Sequence, residues 1–190
     1  MVSRRISTQT ARFRKQSRMG ARRPAAGIAA LGLAGALAFA AASPARAEQT
    51  YGVKIDNDMS QCAPGKGPAV RLRITGLKSG AGNLFVRTYF AKGSDWLRSK
   101  RYIHRIDMKP RKGVTYACVP LPRAGSYAIA VQHDANGNRE KDFSTDGAAM
   151  SGDPEIRTFL GLPLPPSLDD TTFRAKDGVT LMTVRMRYMD

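Results

Sequence analysis

Seven short runs, each of six to ten residues, alternate apolar with polar side chains and are separated by Gly, Pro, Asn and Asp. This spacing constrains the fold more than any other feature, because a period of two puts every second side chain on one face of a strand, whereas a helix needs a period near 3.6. Ala69 to Thr75 sets Val70, Leu72 and Ile74 against Arg71 and Arg73, and Asn83 to Phe90 sets Leu84, Val86 and Thr88 against Phe85, Arg87 and Tyr89. Tyr102 to Met108, Val114 to Leu121, Thr171 to Lys176 and Val179 to Tyr188 read as further strands. In Gly125 to His133, Tyr127, Ile129, Val131 and His133 face one way and Ala128 and Ala130 the other. Both faces suit burial, which predicts a central strand. The whole pattern predicts an all-β chain: an antiparallel Greek-key β-sandwich, immunoglobulin-like or prealbumin-like, of about seven strands, with a small barrel as the alternative.

The connections are less regular. Gly93 to Leu97 suits one helical turn capped by Ser94, with Trp96 and Leu97 folded onto the core edge. Residues 134–166 show no regular element beyond a turn or a short helix near Glu155 to Leu160, and a loop of that length usually carries function.

The first 23 residues hold eight Arg and Lys and no acid, Ala25 to Ala42 is uncharged, and Ser43-Pro44-Ala45-Arg46-Ala47 offers small residues at the two positions a signal peptidase reads. Residues 1–47 are therefore expected to be a signal peptide cleaved after Ala47. The uncharged run is too short and too weakly apolar for about 30 Å of hydrocarbon, so no transmembrane segment is expected in the mature chain. Ser3-Arg4-Arg5 starts like a twin-arginine (Tat) signal, but Ile6-Ser7-Thr8 lacks the apolar pair that should follow, and Sec export to the periplasm or exterior is the expectation. Residues 48–68, rich in Gly, Asp, Asn and Pro, read as a loosely ordered N-terminal arm, and residues 69–190 as the sandwich domain.

Export alters the charge argument. The chain has 31 basic and 15 acidic residues, yet the leader holds nine of the basic and none of the acidic ones, leaving +7 on the rest. Nucleic acid as a partner loses its support, and weak contact with an anionic envelope surface remains alongside an extracytoplasmic partner or ligand of unknown identity. Cys62 and Cys118 form an even pair in an oxidising compartment, which predicts a disulfide.

Chemistry concentrates after Val131, where His133-Asp134-Ala135-Asn136-Gly137-Asn138-Arg139-Glu140-Lys141-Asp142 places oxygen-bearing side chains at alternate positions. Asp134, Asn136, Asn138, Glu140, Asp142 and Asp146 are candidate ligands for Ca2+, a hard cation that takes six to eight oxygens. The glycine is misplaced for an EF-hand and the flanking helices are missing, so such a loop is of a strand-connected type. The competing reading makes Asn136-Gly137 a tight turn in which Asp134 and Asn138 bond their own backbone. His133 with Asp134 or Asp142, and Ser144 or Ser151 as nucleophile, defines a hydrolase alternative. No Gly-x-Ser-x-Gly elbow, His-x-x-x-His pair or phosphate loop supports it.

The run Gly125-Ser126-Tyr127-Ala128-Ile129-Ala130-Val131-Gln132-His133-Asp134-Ala135-Asn136-Gly137-Asn138, followed by Asp142 and Gly147, resembles a family of secreted bacterial proteins known as domain of unknown function 2141. Leu72 to Thr75 with Gly82 to Tyr89 looks like the family's first hairpin, and Ser151 to Pro154, Pro166 to Phe173 and Val184 to Tyr188 like its C-terminal end. A Pro-x-Glu-Gly-Tyr-Gly-Phe-Ser segment common in the family is replaced by Ala148-Ala149-Met150-Ser151. The resemblance implies a periplasmic or surface β-sandwich and no known activity. A noncatalytic binding or structural module is the expectation.

Overall fold

The computed structural model describes residues 49–189; the expected signal peptide and its cleavage site at Ala47 lie outside them. In chain order the strands are β1 (Val53–Ile55), β2 (Ala69–Leu77), β3 (Asn83–Phe90), β4 (His104–Met108), β5 (Gly113–Pro120), β6 (Gly125–Asp134), β7 (Gly147–Met150), β8 (Thr158–Phe159), β9 (Leu162–Pro163), β10 (Phe173–Ala175), β11 (Val179–Arg185) and β12 (Arg187–Tyr188), with a 3-10 turn at Met59–Cys62 and a short α-helix, α1 (Leu168–Thr171). The larger sheet runs β1-β4-β3-β6-β7-β12, with β10 also paired to β6, and the smaller sheet runs β11-β2-β5. Each of the seven alternating runs contains a strand, and β6 is central, flanked by β3 and β7.

The core fills the space between the two sheets. Val70, Leu72 and Ile74 of β2, Val119 of β5 and Val184 of β11 meet Leu84, Val86, Ile106, Tyr127, Ile129 and Val131 of the larger sheet. These side chains are essentially inaccessible to water, and each contributes about 1.5–3 kcal/mol relative to exposure. The result is an all-β sandwich.

Several connections differ from the sequence reading. β2 and β3 do not form a hairpin: β2 pairs with β5 and β11, and β3 with β4 and β6, so the segment between them crosses from one sheet to the other. The sheets are not purely antiparallel either, since β1 joins β4 and β11 joins β2 in parallel, both as returns of distant chain to a sheet edge. Gly93 to Leu97 forms consecutive turns rather than a helix. The buried Asp95 carboxylate accepts bonds there from Tyr51 Oη, Ser94 Oγ and the Arg101 guanidinium. In place of a helix near residues 155–160, β8 and β9 form a small hairpin whose turn residues Leu160 and Gly161 both have positive φ, the geometry that matches strand twist. β7, Gly-Ala-Ala-Met, was hidden because alanine gives no apolar contrast between its faces.

The disulfide joins Cys62 to Cys118 across 56 residues and packs beside Ala69. Closing that loop stabilises the fold by about 4 kcal/mol in the chain-entropy account. The segment read as a loosely ordered arm has further attachments within residues 49–68. β1 lies along β4, and Asn57 Oδ1 accepts from Cys118 N while its Nδ2 donates to Tyr116 O. No helix among the described residues is long and apolar enough to cross a membrane.

Candidate functional site

The polar loop leaves β6 at Asp134, whose register partner is Asn83. Asp134 is fully buried and accepts from three donors: Gly137 N at 2.8 Å, Arg139 N at 3.0 Å and Asn83 Nδ2 at 3.2 Å. Close approach makes this possible, because a Cβ on Gly82, whose φ is +72°, would lie 1.9 Å from Asp134 O. Asn136 Oδ1 accepts from Asn138 N and Asn138 Oδ1 from Glu140 N, which turns both carboxamide nitrogens toward Asp142 Oδ2 at 2.8 and 2.6 Å. Those two bonds hold the Asp142 carboxyl below its ordinary pKa. Asp146 accepts from Ala135 N, Asp142 N and Gln132 Nε2.

The residues considered for calcium are therefore brought into one loop, but in this arrangement the oxygens of Asp134, Asn136, Asn138, Asp142 and Asp146 meet N–H donors rather than a common centre. No group of three or more His, Cys, Asp or Glu side chains among the described residues is placed to hold a metal ion. In this arrangement the loop's polar side chains form a hydrogen-bonded turn.

His133 sits on the core side of β6, fully buried. Its Nε2 donates to Ala81 O, a pure acceptor, at 3.0 Å, and its Nδ1 is hydrogen-bonded to Tyr188 Oη. Tyr188 Oη in turn accepts from Lys78 N. Both ring nitrogens are engaged with groups other than Asp134 and Asp142. Ser151 is buried and bonded to the backbone of Ile129 and Thr171, while Ser144 is exposed on the loop. The structure brings neither serine to His133.

A different arrangement occupies the outer face of the larger sheet. Strand registers align Arg105 of β4, Arg87 of β3, Ala130 of β6 and Met150 of β7 in one row, and Phe85, Gln132, Ala148 and Arg187 in the next. Small alanines between long neighbours leave a trough. Phe143 and Asp146 of the polar loop, Tyr102, and Pro163 to Pro166 wall it, enclosing a groove of about 560 Å³. Small-molecule sites occupy roughly 300–1,000 Å³. Two of the groove's lining residues are held by Trp96, which stacks edge-on against Tyr89 at 5.4 Å and donates from Nε1 to Pro166 O.

Charge in the groove is uneven. Arg105 forks onto Asp107 at 2.5 and 2.7 Å, a bidentate pair that raises the guanidinium pKa. Arg187 donates to the backbone of Asp153 and Pro154. Arg87, half-buried over the Phe85 ring, makes one hydrogen bond among the described residues, to the neutral Gln132 Oε1 at 3.2 Å. Burial pushes its pKa down, opposed by nearby Tyr89. Gln132 Nε2 donates to Glu140 O and Asp146 Oδ2, so both amide hydrogens are held by the loop and the amide oxygen is fixed toward Arg87. The loop thus orients the groove floor.

Sequence reasoning missed this groove, since its residues come from six strands and four connections. The available signals were the outward aromatics Phe85 and Tyr89 beside Arg87, and the buried character of both faces of β6. Fold and site together define a disulfide-tied β-sandwich with an open groove on the outer face of one sheet. The family model described as an uncharacterized protein conserved in bacteria, DUF2141, matches residues 72–183, and the chain belongs to that family. No curated protein and no solved structure matches the chain.

Proposed function

We propose that this is an exported, noncatalytic binding module whose working surface is the outer-face groove, with the loop from Asp134 to Asp146 as its hydrogen-bonded wall. The observation that carries the reading is the groove itself, whose floor spans the centre of the sheet and whose polar wall is already committed to internal bonds. Export to the periplasm or exterior is supported by the leader composition of residues 1–47 and by the Cys62–Cys118 disulfide, a bond that persists in oxidising compartments. His133, bonded on both nitrogens, acts here as a structural residue that ties β6 to β12 and to the crossover before β3.

A thermal-shift screen of small extracellular metabolites tests this, because a ligand selective for the folded state raises its stability. Compounds that stabilise the protein should lose that effect in Ala148→Trp, which fills the trough. Stabilisation that persists in Ala148→Trp, or a screen with no stabilising compound, contradicts it.

A further inference from the structure

We infer that the groove takes a ligand with an anionic group, a carboxylate, phosphate or sulfonate, attached to a flat apolar body, and that Arg87 is the residue that receives the anion. This rests on the groove being the binding surface. Six cationic side chains line it (Arg87, Arg98, Lys100, Arg105, Lys141 and Arg187) against only two anionic ones, Asp142 and Asp146. The two carboxylates are occupied by the loop's own donors, and Arg105 is neutralised by Asp107. Arg87 differs from its neighbours: its guanidinium is partly desolvated, has five N–H donors and uses one of them on a neutral oxygen. It is also held in place, with Phe85 beneath it and the loop-anchored Gln132 amide beside it. A fixed guanidinium with donors to spare matches the oxygens of a carboxylate, phosphate or sulfonate.

The remainder of the groove specifies the body of the ligand. Tyr89, Tyr102, Phe143, Met150, Leu164 and the adjacent prolines present apolar and aromatic surface around the cationic floor. A free inorganic anion would leave that surface uncovered, and a neutral apolar molecule would leave Arg87 with its one bond. A molecule combining both features satisfies both.

The full chain is tested with two fluorescent probes of nearly the same shape. 8-Anilino-1-naphthalenesulfonate carries the anion, and N-phenyl-1-naphthylamine lacks it. The sulfonate probe is expected to bind saturably and at least about tenfold more tightly than the neutral one, the preference shrinking as salt is raised. Arg87→Gln should abolish that preference, Arg87→Lys should keep part of it, and Ala148→Trp should weaken both probes. Equal affinity of the two probes in the unmodified protein overturns the inference regardless of how the Arg87 variants fold. So does an Arg87→Gln protein that keeps both its melting temperature and the preference. If Ala148→Trp removes binding while the probes bind equally, the groove stands as a binding surface and only the anion assignment falls. If neither probe responds to Ala148→Trp, the groove reading falls with it.

Discussion

In the loop from Asp134 to Asp146, the carboxylates of Asp134, Asp142 and Asp146 each accept two or more hydrogen bonds from nearby donors. On the adjacent groove floor the Arg87 guanidinium meets one neutral oxygen. The loop is the more polar sequence, yet its polarity is consumed in holding its own shape. The floor looks like ordinary strand, yet it keeps unmatched donors next to apolar surface. Polar residues advertise a site only when the fold leaves them unpaired. Arg101 makes the same point: its guanidinium is matched by the buried carboxylate of Asp95 and stacked over Tyr51, and it serves structure.

The largest effect should come from breaking the closed region. His133→Ala removes a buried ring and strands Tyr188 Oη and Ala81 O, at a cost of about 3 kcal/mol, visible as a lower midpoint in urea. A loss under about 1 kcal/mol would mean that the His133 ring does not tie β6 to Tyr188 and Ala81 as described.

Acid should produce a smaller change. Burial raises the pKa of Asp95, but bonds from Arg101, Tyr51 and Ser94 outweigh it and hold the carboxyl below its ordinary value. A depressed folded pKa contributes stability that is complete above about pH 4 and is lost as pH falls through the folded value. Asp95→Asn should therefore flatten the stability curve below about pH 4, and an unchanged acid limb would contradict the assignment.

Thr88 offers a leftover polar group of the opposite kind. Its hydroxyl is buried without a partner among the described residues, on the core side of β3. Thr88→Val should stabilise the protein by about 1 kcal/mol, read from the denaturation midpoint, and a destabilised variant would show that the hydroxyl is bonded. The smallest expected effect concerns calcium. With the loop oxygens committed to N–H donors, melting temperatures in chelator and in millimolar calcium should coincide, and a rise of several degrees in calcium would reopen the cation reading.

Much of the fold was legible because alternation is a local signal. Val70, Leu72 and Ile74 declare a strand without reference to anything distant, and Ala128 with Ala130 declares a covered second face. Sheet partners were not legible in the same way. β2 and β3 are neighbours in sequence with a glycine-rich connection, and only packing decides that the chain crosses between sheets there. β7 escaped because alanine on both faces gives no contrast. The loop's hydrogen-bonded turn was one of two readings open from Asn136-Gly137, and its geometry follows from Gly82 admitting Asp134 at close range. The groove was illegible as a unit, since Arg87, Gln132 and Ala148 come together only through strand register.

Nuclear magnetic resonance of the 15N-labelled protein, titrated with 8-anilino-1-naphthalenesulfonate, tests the division of labour between loop and groove most directly. Shifts should move at the amides of Arg87, Ala130 and Ala148 and at the Arg87 side-chain Nε, while Asn136 to Glu140 at the loop tip stay in place. Changes centred on Asn136 to Glu140, with the strand rows silent, would contradict the account.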